Sequence, residues 1–242
     1  VFFKLAYGLL VGPEDVQVYD LRGGAPAASL PSLKEAMQVA GRGKGRVTIV
    51  VSDAHCRYLV MQRPRGVRHR GELIAAMRQC FDGMFGDARR WTLRHHASPS
   101  AQSDMVVGMD SDLLECIGAE ARAAGVSVVS IRPHWTAWAS RLRRETRRGD
   151  HWIIACDAVW ASVGYVSNGQ CRFARAVRLQ EGHCSVVDLL ARARAHVDVP
   201  DESAPVWVGG TALPHGDAGS LAGAGPVTCA DSIALWGEEG AA

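Results

Sequence analysis

The spacing of apolar residues along this chain changes repeatedly between strand-like runs and helical three-and-four steps. Residues 8–22, GLLVGPEDVQVYDLR, place a Gly-Pro-Glu-Asp turn between two apolar stretches, which predicts a β-hairpin with a short loop. The opening from Val1 to Val11 is apolar but carries Lys4 and breaks at Gly8; without a basic leader or a small-residue cleavage site it reads as a first strand, not a secretory signal. Residues 23–45 are rich in Gly, Ala and Pro and show one helical window, 31–40, with Leu33, Met37 and Ala40 on one face. Residues 46–53, RVTIVVSD, are almost continuously apolar and β-branched, as a strand buried on both faces is. The following CRYLVMQRP is expected as its partner strand, stopped by Pro64.

From Gly71 to Phe85 the residues Leu73, Ile74, Met77, Cys80, Phe81 and Phe85 recur at helical steps, predicting an amphipathic helix that ends near Gly86. Residues 91–95 predict a strand, 97–103 a polar loop and 105–109 a short strand. That strand leads into a helix capped by Asp110 or Ser111 and closed by Gly125. Residues 126–131 form another strand up to Pro133, and a tryptophan-bearing helix, 134–148, follows with five arginines on its outer half. At Gly149-Asp150 the pattern restarts. Three strands are expected at 152–157, 160–166 and 171–179, with Asn168-Gly169 as the turn between the last two, then a helix at 185–196, a buried strand in PVWVGG and a last strand at 226–229. Strands alternating with helices, twice over, predict an α/β protein with mixed sheets in two related lobes. The first lobe is expected at 1–148 with an inserted subdomain at about 46–131, the second at 149–242.

Composition narrows the functional classes. With 242 residues, 48% hydrophobic and 21% charged, the chain can bury a substantial core and is not intrinsically disordered. Lys plus Arg is 27 and Asp plus Glu 25, and the resulting charge of +2, spread along the chain, argues against nucleic acid as a partner. Lysine occurs only at 4, 34 and 44, and Lys44 alone stands beside a glycine, so the usual lysine of a phosphate site has few candidates. No apolar run approaches the roughly 18 to 20 residues that span a bilayer. Seven cysteines at 56, 80, 116, 156, 171, 184 and 229, with no CxxC pair, read as reduced, mostly buried thiols of a cytoplasmic protein.

The candidate chemical groups mostly have plainer readings. Asp53, His55 and Cys56 follow a strand and contain the makings of a Cys-His nucleophile, but strand neighbours point to opposite faces. His95-His96 lacks a third metal ligand at recognisable spacing and reads as a solvated pair. Arg141, Arg143, Arg144, Arg147 and Arg148, with Glu145 and Asp150 nearby, read as a solvated helix end. The seven tryptophans read as core, with Trp135 and Trp138, three apart on a helix, as a candidate part of a partner groove.

The blocks at 8–22 and 152–179 look like two copies of one strand-turn-strand unit. In this respect the chain resembles the actin-like (ribonuclease H-like) cytoplasmic domains of PilM-type and GspL-type proteins of type IV pilus and type II secretion machines. The residues that carry the resemblance are Ile153 to Asp157, Asn168-Gly169, Arg175-Ala176-Val177-Arg178, and Val206-Trp207-Val208-Gly209-Gly210. The resemblance implies Asp157, Gly209 and Gly210 as a vestigial nucleotide site. Active members of the fold wrap ATP phosphates with two Asp-x-Gly hairpins, where the carboxylate positions the metal ion and glycine admits backbone amides. Here Asp157-Ala158-Val159-Trp160 and Gly12-Pro13-Glu14-Asp15 depart from that form, and proline has no amide to donate.

The reading is therefore a non-catalytic cytoplasmic scaffold, peripheral to the inner membrane, with no cofactor of its own. It binds an inner-membrane pilus or secretion component, and an assembly ATPase and a homodimeric partner are further candidates. Two alternatives stand beside it: an ATP- and Mg-binding relative, and a metal-dependent nuclease or phosphotransferase using Asp157 with Asp53 or Asp15. A flanking transmembrane helix is implied for a GspL-type chain and none for a PilM-type one. The strands around 57–61 and 91–95 are expected at a sheet edge, and Tyr58 and Leu93 are the candidate partner-binding residues.

Overall fold

The computed structural model describes residues 7–21, 25–41, 45–67, 69–96, 103–179, 186–197, 203–210 and 227–231. Lys4, Lys44, Cys184 and most of the expected polar loop at 97–103 lie outside them. The first hairpin is β1 (Tyr7–Val11) and β2 (Val16–Asp20), antiparallel, and β3 (Ala25–Leu30) adds a third antiparallel strand. After α1 (Leu33–Gly41), β4 (Arg46–Val51) returns parallel to β1. The chain then forms β5 (Cys56–Gln62), α2 (Arg70–Phe85), β6 (Trp91–His96), β7 (Ser103–Asp110) and α3 (Ser111–Ala123) before β8 (Ser127–Pro133) pairs parallel to β4. Helix α4 (His134–Arg141) leads to β9 (Asp150–Cys156), β10 (Trp160–Ser167) and β11 (Gln170–Arg178), another antiparallel set. Helix α5 (Val186–Arg194), β12 (Val206–Gly210) parallel to β9, and β13 (Val227–Asp231) parallel to β12 complete the order.

Two five-stranded sheets result, ordered β3-β2-β1-β4-β8 and β11-β10-β9-β12-β13. Each is a three-stranded meander extended by two parallel strands on the side of its first strand, and in each a helix makes the crossover to the fourth strand. This is because a parallel return needs a long connection. The duplication expected from the two hairpin blocks is thus present in the strand order of both halves. Helices α1 and α3 lie together against the first sheet; α4 touches β4 and β8 of the first and β9 and β10 of the second.

A separate three-stranded sheet, β5-β7-β6, is antiparallel and carries α2. Leu73, Met77 and Phe81 of α2 pack with Leu59, Trp91 and Val106 into their own cluster. The Phe81 ring lies on Gly108 of β7, where any side chain would collide with it. Glu72 accepts a bond from the His69 amide at 3.3 Å at the start of α2, and Asp110 accepts from the Asp112 amide at 3.0 Å at the start of α3; these local caps fix where the two helices begin.

Several expectations are corrected. Residues 56–62 do not pair with β4: β5 pairs with β7, because a three-residue 3-10 turn at Asp53–His55 redirects the chain out of the first sheet. The segment 46–131 begins and ends in strands of the first sheet, so the separate sheet is built from within it, between Cys56 and Asp110. The Gly/Ala/Pro segment contains the strand β3, which pairing to β2 forms despite its weak local preference. The helix expected over 134–148 stops at Arg141, and Glu145–Arg147 is a 3-10 turn. Asn168, at φ 49°, and Gly169, at φ 74°, make the two-residue turn between β10 and β11, where both central residues need positive φ. No helix among the described residues is long and apolar enough to cross a membrane.

Candidate functional site

The ends of β4 and β9 meet at the junction of the two halves, and α4 starts there. Ser52, fully buried after β4, donates its hydroxyl to the carboxylate of Asp157, which follows β9; the two are 105 residues apart in the chain. The Ser52 amide also bonds to the Val11 carbonyl at 2.8 Å, tying this corner to the end of the first strand. Asp157 is 6% exposed and accepts from the amides of Val159 at 3.0 Å and Trp160 at 2.6 Å within its own turn. Its carboxylate therefore consumes the amides that a phosphate-binding hairpin would point at a ligand.

Asp53, 2% exposed, is the other buried carboxylate at this junction. It accepts the hydroxyl of Tyr58 and the amide of Trp135, at 3.1 Å to Oδ2, near the start of α4. Burial, with the nearby charge of Asp157 adding to it, pushes the carboxyl up to about 7; the hydroxyls of Tyr58 and Ser162 and the Trp135 amide pull the other way. His134, the first residue of α4, is 1% exposed, and its Nε2 has no hydrogen-bond partner among the described residues. Burial lowers its imidazole to about 4, against the opposing pull of Asp157, so the ring is neutral.

Two indoles occupy the junction beside these groups. Trp135 donates from Nε1 to the Ile153 carbonyl at 3.0 Å and packs on Gly164 of β10, where a Cβ would fall 2.0 Å from its ring. Trp138 lies against Gly209 of β12, where a Cβ would fall 2.5 Å from its ring. Both indoles are 1% exposed. Trp135 and Trp138 are thus a wedge between the halves, held in the core; of the pair expected in a partner groove, Trp135 also lines the groove described below and Trp138 does not. At Gly210, φ 142°, a Cβ would fall 1.8 Å from the Cys156 carbonyl oxygen, so no side chain is tolerated there.

Of the residues singled out from sequence, Asp53 and Asp157 come together, whereas Asp15 accepts from Ser29 at 2.7 Å at the tip of the first hairpin. Among the described residues no three His, Cys, Asp or Glu side chains gather as a metal site. His55 and Cys56 lie in and just after the 3-10 turn, and burial, foremost, with the Asp53 charge raises the Cys56 thiol well above its ordinary value, the opposite of an activated nucleophile. The cysteines whose burial is described are more exposed than expected: Cys56 and Cys156 are buried, Cys171 half-buried, Cys80 and Cys116 exposed, and these five are free. Tyr58 is corrected as a surface residue. It is 4% exposed, edge-on to Trp135 with ring centroids 5.8 Å apart, and its strand packs beside β11. Leu93 is half-buried under α2. Ser52, His134 and Ser162 escaped the sequence reading; a Ser-Asp pair closing a buried strand and a histidine directly after a proline were the available signals.

A groove of about 430 Å³ opens where the three-stranded sheet, β8 with α4, and the β10–β11 hairpin of the second lobe (Val166, Gly169, Cys171) come together. Met105, Val107 and Met109 of β7 face Ile131 of β8 and Ala139 of α4 across it, with Arg94 and Arg143 at its rim. Strands β6 and β8, which contribute to its walls, are the terminal strands of their sheets.

This duplicated architecture is the two-lobed actin-like ATPase fold. The chain is similar to the cytoplasmic domain of EpsL, an inner membrane component of the type II secretion system of Vibrio cholerae, at 14% identity over 96% of this chain and 93% of that one, with a TM-score of 0.63. It is similar to a chain of the PilM-PilN type IV pilus biogenesis complex at 13% identity over 93% and 90%, with a TM-score of 0.68. A Bacteroides thetaiotaomicron protein with the actin-like ATPase fold aligns over 87% and 84% at 10% identity and a TM-score of 0.55. No protein-family model matches the sequence, and no curated protein does.

Proposed function

We propose that the chain is a non-catalytic cytoplasmic scaffold of a pilus or secretion assembly, and that it receives an extended segment of an inner-membrane partner. The carrying observation is the groove bounded by the three-stranded sheet, β8 with α4, and the β10–β11 hairpin. It has an apolar floor, arginines at the rim and a terminal strand on each side, which suits a peptide docked by main-chain bonds and a few apolar side chains. The neighbours' descriptions, an inner membrane secretion component and a pilus biogenesis complex, support the same reading. The consumed carboxylates at the lobe junction support the absence of turnover, since Asp53 and Asp157 already satisfy protein donors.

The test is recruitment of the cytoplasmic tail of the cognate inner-membrane protein in a pull-down. Ala139→Glu and Arg143→Glu, on the groove, are expected to weaken it while circular dichroism stays native; equal recruitment by both removes the groove from the reading. Mg-ATP in thermal unfolding addresses the nucleotide alternative. A ligand at about 100 times its dissociation constant adds roughly 2.7 kcal/mol, and a shift of that size would overturn the scaffold's lack of a nucleotide.

A further inference from the structure

A second cavity, of about 220 Å³, opens on the far lobe between β11 and α5, and nothing in the scaffold reading uses it. Its floor is Val163 of β10, Val177 of β11, and Leu189 and Ala193 of α5. Strand and helix periodicity together put cations on this apolar surface. Phe173, Arg175 and Val177 alternate onto one face of β11; Leu189, Arg192 and Ala193 follow at three and four residues along α5, and His196 stands in the turn just after it. Arg175 thus takes a strand position flanked on both sides by residues of the apolar row, and Arg192 takes a helix position beside buried Leu189 and Ala193.

Among the described residues no carboxylate pairs with either cation. Arg175 donates from Nη1 to His196 Nε2 at 3.2 Å, and Phe173 stacks on the His196 ring at 10° with centroids 6.3 Å apart, so the imidazole is held as an acceptor that orients the guanidinium. Neither Arg175 nor Arg192 forms an ion pair among the described residues. Two exposed arginines lining an apolar slot suit an amphipathic anion: a carboxylate to meet guanidinium donors and a compact apolar body to cover the floor. The volume is below that of a typical drug-sized pocket, which limits the body to about the size of one large side chain.

We propose that this notch binds an apolar carboxylate, such as a short aryl or alkyl acid or the C-terminal aromatic residue of a polypeptide. Arg175 and Arg192 hold the carboxylate, and the β10–β11–α5 floor holds the apolar group. The proposal is independent of the groove and of the assembly role.

The probe is 4-phenylbutyrate, titrated into the full chain by calorimetry, with 4-phenylbutanol as its uncharged counterpart. Saturable binding is expected for the acid, weakened about tenfold for the alcohol and about tenfold in the Arg175→Gln/Arg192→Gln double variant. Both arginines are exposed, so the variant is expected to melt at the wild-type temperature, and that is measured alongside. A short peptide ending in phenylalanine, free or amidated, distinguishes the sources: tighter binding of the free-ended peptide than of phenylbutyrate assigns a polypeptide terminus, and the reverse assigns a small acid. No saturation by either acid, equal affinity for acid and alcohol, or unchanged affinity in the double variant overturns the proposal.

Discussion

The hairpin at the head of each lobe has the same position in the same strand order, yet the two tips are stabilised differently. At the first tip the Gly12 amide meets the Asp15 carbonyl at 2.8 Å, and the Asp15 carboxylate takes one exposed bond from Ser29. At the second, Asp157 is buried, takes two amides of its own turn and reaches across the junction to Ser52 of the other lobe. Duplication preserved the backbone path, and burial decided what each carboxylate does. An exposed aspartate trims a turn; a buried one must satisfy all its lone pairs and so becomes a joint between lobes.

The sharpest break in this comparison comes from the wedge. Gly164→Leu places a side chain inside the Trp135 indole, and because both are buried the expected loss exceeds about 3 kcal/mol by urea unfolding. Gly83→Ala, which meets open space on α2, is the control and is expected to be stabilising by a few tenths to about 1 kcal/mol.

The pH dependence of stability tests the buried junction next. Asp53 has a folded value raised to about 7 from 3.8, so its contribution is complete below 3.8 and is lost as pH rises toward 7. His134 has a folded value lowered to about 4 from 6.5, so its contribution is complete above 6.5 and is lost as pH falls toward 4. Between about 4 and 6.5 the two oppose each other, since folding takes one proton off His134 and puts one on Asp53. Stability in the wild type is therefore expected to vary little with pH over that window as far as these groups set it. Asp53→Asn should make stability rise with pH and His134→Gln should make it fall, each by up to about 1.4 kcal/mol per unit. Parallel curves for all three proteins would remove the junction's titration.

A smaller effect separates the two hairpins directly. Ser52→Ala removes the bond between the lobes and is expected to cost about 1.5 to 3 kcal/mol, as for a buried bond to a charged group. Ser29→Ala removes the exposed bond at the first tip and is expected to cost less than about 1 kcal/mol. Denaturant midpoints that fell equally would show the two tips to be alike. Asn168→Ala, at positive φ in the turn of the second lobe, is expected to cost about 1 kcal/mol through backbone strain.

Much of the architecture was legible because it rests on local pattern. The buried run at 46–51, the stripe Leu73, Met77, Phe81 and the Asn168-Gly169 turn each state their structure within a few residues. β3 was not legible: its Ala- and Pro-bearing sequence has little strand preference, and pairing to β2 supplies what the sequence lacks. The partner of β5 was hidden for a related reason, since a three-residue turn decides which sheet receives the strand. Asp157 was visible as a candidate from its place after a strand, but its bond to Ser52 spans 105 residues and no spacing announces it.

The sequence by itself determined the alternation of elements, the two-fold recurrence of the hairpin block and the departure of both tips from the glycine-bearing form, because each depends on periodicity or on the presence of one residue type. Only the tertiary structure decided that Tyr58 is interior, that Trp135 and Trp138 rest on Gly164 and Gly209, and that Asp53 and His134 hold the proton opposite to their ordinary habit in the window between about 4 and 6.5. Burial is a property of what distant segments bring to a place, and it is burial that sets whether an aromatic ring is a contact surface or a wedge, and whether a carboxyl group is charged.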